Sequence, residues 1–397
     1  MKKSTLLYAA FIVLRKLINN KSVLFGVAII GALIVANGCR QKNGTVSFTR
    51  DDFPKSFTLS NPMQVKLEID SITYPYVHTV LRDSLVFVNN RGYDRSFIDV
   101  YSLTDGHFMF HLAPRGRGPG EFTRAGIGLD TGDENILYID DGRNKYTIDL
   151  DSTLLKRQVH IINNFMYYRA NETHLYTNIA ILNDHEFVAY NLWFVDDHGF
   201  NNGIPPLKKY SRDKIEAEQE QNYKYFPGPV NTVRLIQSPK KDMIWLADSH
   251  RPQIKIYNGS LELVRIINGP DNYTPIVVEL PTPELIMLVF QNDEEYSSYS
   301  SYAFTDKYIY IIYQGIRGVN YYALYGVDEL DGSDGLPQME LPPSEIFQFT
   351  WDGRPVARYQ LDRYAQSISL SKDEKSIYVS SVTKMDDEAV LYRYDLF

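Results

Sequence analysis

The chain has 397 residues, 44% of them hydrophobic, with 41 basic against 49 acidic side chains and a formal charge of −8. That much apolar material supports a true core and excludes a disordered chain, and the acidic balance argues against a nucleic-acid-binding surface, which needs clustered Lys and Arg. A single cysteine, Cys39, excludes an intramolecular disulfide and a cysteine-rich zinc site, while 30 tyrosines and 20 phenylalanines favour pleated sheet, whose half-buried faces suit aromatic rings.

Residues 1–38 carry Lys2 and Lys3, an apolar run from Leu6 to Leu14, a basic patch (Arg15, Lys16, Lys21) and a second apolar run from Val23 to Ala36. Small residues directly before a cysteine, after such a run, read as an export signal. Ala36, Asn37, Gly38 and Cys39 resemble a bacterial lipobox, with Cys39 the residue that would be lipidated and become the mature N-terminus. Position 36 is more often Leu or Val, and the leader is long; the alternative is an anchor that is never cleaved. Either reading places the rest outside the cytoplasm, joined to the membrane through its N-terminus. The residues after Cys39, "RQKNG", lack the acidic run of a surface-export signal, which favours a periplasm-facing position. Residues 39–61 read as a polar tether, and 62–397 as the folded domain.

Within that domain a short block recurs: "DSLVFVNN" (83–90), "ENILYIDD" (134–141), "HEFVAYN" (185–191), "DMIWLADS" (242–249), "KYIYIIYQ" (307–314) and "KSIYVSSV" (375–382). Each is a strand-length apolar run that opens on charge and closes on small polar residues. Another candidate strand precedes each block. After most blocks come two more, joined in "SLTDGHF", "YNGSLEL" and "TWDGRPV" by Asp-Gly or Asn-Gly, which tolerate the positive φ of tight hairpins. "KYTIDLDSTLLKRQV" (145–159) is read the same way. Four antiparallel strands repeated six times predict an all-β, six-bladed propeller. The sixth copy holds only three strands, and "MQVKLEIDSI" (63–72) has the alternation to supply the fourth and close the ring. Residues 196–229 and 315–343 read as insertions, the first with a short helix in "DKIEAEQEQNYKY".

The stretch "HLAPRGRGPGEFTRAG" (111–126) links blade one to blade two. It is no phosphate-binding P-loop, because no Gly-Lys-Ser/Thr follows and the next segment opens no helix. Its expected work is a tight crossing, with Phe122 tucked between blades and Glu121 accepting backbone N–H groups or pairing with an arginine. In an antiparallel blade this crossing shares an end with the closings of the second strands. That places Arg115, Arg117 and Glu121 on one face with Asn89, Asn90, Asp140, Asp141, Asn191, Asp248 and Gln314. Such a ring of oxygen donors suits a ligand or a hard cation such as calcium; the alternative is that each polar residue merely ends its strand and bonds its own turn.

The lipobox, the six blocks, "GRGPGEF" (116–122) and "WDGRPVARYQLDR" (351–363) followed by "KSIYVSS" resemble the TolB-like six-bladed propeller lipoproteins of Bacteroidetes, over roughly residues 50–397. The resemblance implies the fold and an envelope location, and brings no catalytic residues with it. His107 and His111 are four apart but not on a helix, adjacent aspartates on a strand point to opposite faces, and there is no Gly-x-Ser-x-Gly elbow. The expected function is a binding or scaffolding module for a protein, peptide or glycan. The alternative is a metal-assisted hydrolase or lyase with an axial oxygen-ligand site.

Overall fold

The computed structural model describes residues 44–68, 78–89, 96–118, 120–128, 133–167, 179–190, 207–211, 225–226, 230, 232–281, 286–291, 295–317, 341–382 and 389–396. The leader, Cys39, Asn90 and Asn191 lie outside them. Six antiparallel sheets follow one another as the blades of a propeller. Blade one is His78–Leu81, Leu85–Asn89, Ser96–Ser102 and Phe108–Pro114, paired in that order. Blade two is Gly126–Gly128, Ile136–Asp140, Asn144–Asp149 and Ile161–Met166. Blade three pairs Ala180–Ile181, Glu186–Tyr190 and Leu207–Ser211. Blade four runs Val233–Gln237, Met243–Asp248, Gln253–Asn258 and Leu263–Asn268, and blade five Tyr296–Phe304, Tyr308–Arg317, Glu345–Thr350 and Pro355–Leu361. Blade six is Ser367–Leu370, Ser376–Ser381 and Val390–Asp395.

The recurring apolar blocks are the second strands, buried on both faces because each blade is packed between two others. In blade four Trp245 and Ala247 enter the core shared with blade five, while Ile244 and Leu246 enter the core shared with blade three. Period-2 geometry sends neighbouring side chains to opposite faces, and two buried faces demand an almost unbroken apolar run. The first strands of blades three, four, five, six and one touch in succession around the axis.

The ring closes as the alternation of 63–72 predicts. Met63–Val65 pairs antiparallel with Val390–Asp395, Leu391 opposite Val65, and becomes the fourth strand of blade six. The tether reading of 39–61 does not hold from Gly44 onward. Gly44–Ser47 adds a fifth strand to blade four, and Ser56–Leu59 pairs in parallel with Pro355–Leu361 as a fifth strand of blade five. Between them Phe48 and Phe53 are buried in the core of blades four and five, against Phe347 and Phe349. Burying these two rings and capping two sheet edges supplies what a polar composition hid.

Three further expectations need correction. The segment 145–159 is not a hairpin with a tight turn: Leu150–Lys156 forms an α-helix, because Asp149 caps it by accepting from the Ser152 N–H at 2.7 Å. Part of the supposed insertion 196–229 belongs to the blades, since Leu207–Ser211 is the third strand of blade three. The helix expected at 213–225 falls outside the described residues except Tyr225, which lies in the strand Tyr225–Phe226. That strand joins the hairpin Val277–Pro281 and Ile286–Phe290 in a small additional sheet. Uniform four-stranded blades therefore give way to five strands in blades four and five and to three described strands in blade three.

Candidate functional site

Antiparallel pairing fixes two ends of the ring. The turns after second strands and the crossings between blades lie at one, the loop end; the turns joining first to second strands lie at the other, the turn end.

The glycine-rich crossing at the loop end is a rigid hook. Gly116 N–H donates to Phe122 O at 3.0 Å, Phe122 N–H to Pro114 O at 2.8 Å, and Gly118 N–H to Glu121 Oε2 at 2.7 Å. Gly120 sits at φ +78°, a conformation that favours glycine, and a Cβ on Gly116 would stand 1.8 Å from that same carboxylate oxygen, so a larger residue there would push Glu121 off its bond to Gly118. Phe122 is buried between blades one and two, edge-on to Tyr146 at 5.3 Å. Phe122 and Glu121 thus do the work the sequence suggests. Arg115 is half-buried with its guanidinium 4.0 Å above the Phe97 ring, whereas Arg117 is exposed at the tip.

Of the other residues expected on this face, Asn89, Asp140, Asp141, Asp248 and Gln314 lie at the loop end with their polar atoms taken up locally, while Asn90 and Asn191 lie outside the described residues. Asn89 Oδ1 accepts the Ile127 N–H at 3.0 Å and so ties blade one to blade two. Asp140 accepts from Tyr167 OH at 2.6 Å and Gly142 N–H at 2.7 Å, and burial pushes its carboxyl above the ordinary range. Asp141 accepts from Arg143 N–H, Asn144 N–H and Tyr146 OH. Asp248, buried, accepts from His250 N–H at 2.8 Å and pairs with Arg251 at 3.0 Å. Gln314, also buried, donates to Ala365 O at 2.6 Å and accepts from Ser344 OH at 2.6 Å, joining blade five to blade six. Among the described residues no three of His, Cys, Asp and Glu come close enough to hold a metal ion. His107 and His111 do not converge either; they pair with Asp105 and Asp99 respectively.

Two polar clusters escaped sequence reasoning. Ser96 OH and His111 Nδ1 both meet Asp99 Oδ1, at 2.8 and 2.7 Å. Because serine and histidine meet the same carboxylate oxygen, the cluster lacks the relay order of a hydrolase triad. Between blades four and five, Arg50 bridges Asp271 at 2.8 Å and Glu345 at 2.6 Å, and Asp271 accepts from Tyr296 and Tyr313 hydroxyls at 2.9 and 2.7 Å. Burial pushes the Asp271 carboxyl up, but the bonds from Arg50, Tyr313 and Tyr296 outweigh it and hold it below the usual range. This network fastens the N-terminal segment to the ring.

At the turn end a cavity of about 440 Å³ opens where the first turns of blades one, two, five and six meet. Lys372 reaches from blade six to Glu134 of blade two at 2.6 Å, and Arg82 of blade one holds Asn135 at 2.6 Å and Asp151 at 2.7 Å.

The family described as TolB-like 6-blade propeller-like is matched over residues 52–373. The chain belongs to that family. No curated protein matches the chain. Among solved structures it is similar to a DUF4221 family member from Bacteroides vulgatus, at 9% identity over 85% of this chain and 94% of that one, with a TM-score of 0.49. A Bacteroides fragilis protein is similar at 9% identity over 86% of this chain and 99% of that one, with a TM-score of 0.43. At these scores the two likenesses add nothing to the family match.

Proposed function

We propose that this propeller is a binding module of the cell envelope, tethered through Cys39 at its N-terminus, that presents its loop end to a protein, peptide or glycan bearing a carboxylate or other anionic group. One observation carries the reading: the glycine hook is fixed by its own hydrogen bonds and by buried Phe122, and it holds exposed Arg117 out at its tip. A pre-set arginine loses little freedom on binding and can grip an anionic group through two parallel N–H bonds. Rigid scaffolds commonly carry recognition on such loops. The envelope location rests on the leader and on the small residues before Cys39.

The test is charge reversal at Arg117 alone. Arg115 lies on Phe97 and Asp140 holds Tyr167, so changing either would disturb the fold as well as the face. Arg117→Glu should keep the wild-type melting temperature and lose at least tenfold in capture of envelope components on an affinity matrix; unchanged capture counts against this face. For the tether, Cys39→Ala should abolish incorporation of labelled fatty acid, and equal labelling would remove Cys39 from the account.

A further inference from the structure

The outer edges of the blades are not treated alike. In blades four and five a strand of the N-terminal segment covers the edge. In blade one the Glu68 carboxylate accepts the Phe108 N–H at 3.3 Å, and the outer strand ends on Pro114. Blade two has neither device: among the described residues nothing pairs with the free side of Ile161–Met166.

That strand reads Ile-Ile-Asn-Asn-Phe-Met, without a charge or a proline, the usual guards of an open edge. Phe165 alone turns inward, into the core shared with blade three, while Ile161, Ile162 and Met166 are 40%, 53% and 45% exposed. Leu155 is 84% exposed on the helix just before the strand, whose Thr153 hydroxyl accepts the His160 N–H at 3.1 Å. Four of the ten large apolar side chains exposed among the described residues therefore belong to this one corner of the ring.

A second observation concerns the backbone. The strand's one bulge falls before Asn163, so Asn163 to Met166 pair regularly with the third strand, and beyond them Tyr167 N–H donates to Arg143 O at 3.0 Å. Residues of an antiparallel ladder bond a given neighbour alternately, so Tyr167, Phe165 and Asn163 bond inward. Asn164 and Met166 then direct their N–H and C=O groups outward, away from the blade. A two-fold axis through Asn164, perpendicular to the sheet, would set that residue opposite its own copy and bring Met166 beside Ile162 of the other copy. Both ends of such a pairing are apolar, its centre is a pair of amides, and no like charges meet.

We infer that Ile161–Met166 pairs antiparallel with the same strand of a second copy of this chain, joining two propellers edge to edge through blade two. A two-fold contact needs a surface that complements itself, and this strand does so in charge, in its apolar ends and in its outward backbone groups. A partner edge bearing charge would find no counter-charge along it. The contact is small, which places it among weak, concentration-dependent associations rather than obligate dimers.

Sedimentation equilibrium of the full chain in detergent tests this, with Cys39→Ala run alongside so that the pairing is read independently of the tether. Both should pass from monomer to dimer as concentration rises. Met166→Lys, which sets a lysine on the edge, should keep the wild-type melting temperature and raise the dimer dissociation constant about tenfold or more. In the Cys39→Ala background Asn164→Cys should oxidise to a disulfide-linked dimer, because opposed residues of a bonded pair stand about 5.5 Å apart at Cα, within disulfide reach. Asp306→Cys, exposed at the turn end, should not. A chain that stays monomeric at every concentration, undiminished association in folded Met166→Lys, or equal crosslinking at positions 306 and 164 would each overturn the inference.

Discussion

The two ends of the ring carry similar residue types and use them differently. At the loop end Asp141 and Asp248 each accept several N–H or O–H donors from their own turns, Asp140 joins a buried tyrosine to the turn behind it, and Asn89 and Gln314 stitch one blade to the next. At the turn end Lys372 pairs with Glu134, Asp83 and Asp133 each accept a backbone N–H, and Asp306 stands exposed at a cavity outside every described ion pair. The contrast separates carboxylates bonded within their own turns from an exposed one, Asp306, at the edge of a cavity.

The largest test of the contrast is Asp248→Ala. It leaves the Arg251 guanidinium, itself 5% exposed, without its carboxylate, and should cost roughly 3–5 kcal/mol in chemical unfolding. A loss under about 1 kcal/mol would mean that the loop-end carboxylates are not structural.

Next comes pH. Burial pushes the His250 ring down to about 4, with Arg251 and Arg234 acting in the same sense and Asp248 opposing. Above the ordinary value of 6.5 the ring is neutral in both folded and unfolded chains, and stability is complete. As pH falls from 6.5 toward 4 only the unfolded chain takes the proton, so stability should decline by about 3 kcal/mol from this ring. His78, pushed down to about 3 by burial, adds to the slope. Unfolding curves across that window should flatten in His250→Gln; an unchanged slope would remove His250 from the account.

The smallest expected effect is at the other end. Asp306→Asn, exposed and outside every described ion pair, should change stability by less than about 0.5 kcal/mol. A larger loss would erase the distinction between the two ends.

The repeats were legible because blade packing imposes one requirement six times: a second strand apolar on both faces. The closing strand was legible for a related reason, since an incomplete sixth copy calls for a partner and 63–72 alternates correctly. Phe122 and Glu121 could be read from local chemistry. Arg50 could not, because its partners Asp271 and Glu345 lie 221 and 295 residues away along the chain. Likewise Ser56–Leu59 looks polar and irregular until it is set beside Pro355–Leu361, whose edge gives it an identity. The helix Leu150–Lys156 did carry a signal, Asp149 three residues before Ser152, which the expectation of a hairpin masked. The turn-end cavity belongs to no single motif; its walls come from first turns scattered between residues 79 and 374. The loop-end ring was legible in position and not in use, because hydrogen-bond satisfaction depends on where backbone N–H groups point.

Pairing Met63–Val65 with Val390–Asp395 has a consequence for how the protein is made. A chain emerging from the ribosome holds the first of these strands long before the second exists. Blades can form in order, but the ring stays an open arc with two unsatisfied ends until Val390–Asp395 has been made. Contacts so distant in sequence make closure the late, slow step of folding. Until that moment the arc presents bare strand edges, which are open to pairing with those of neighbouring chains.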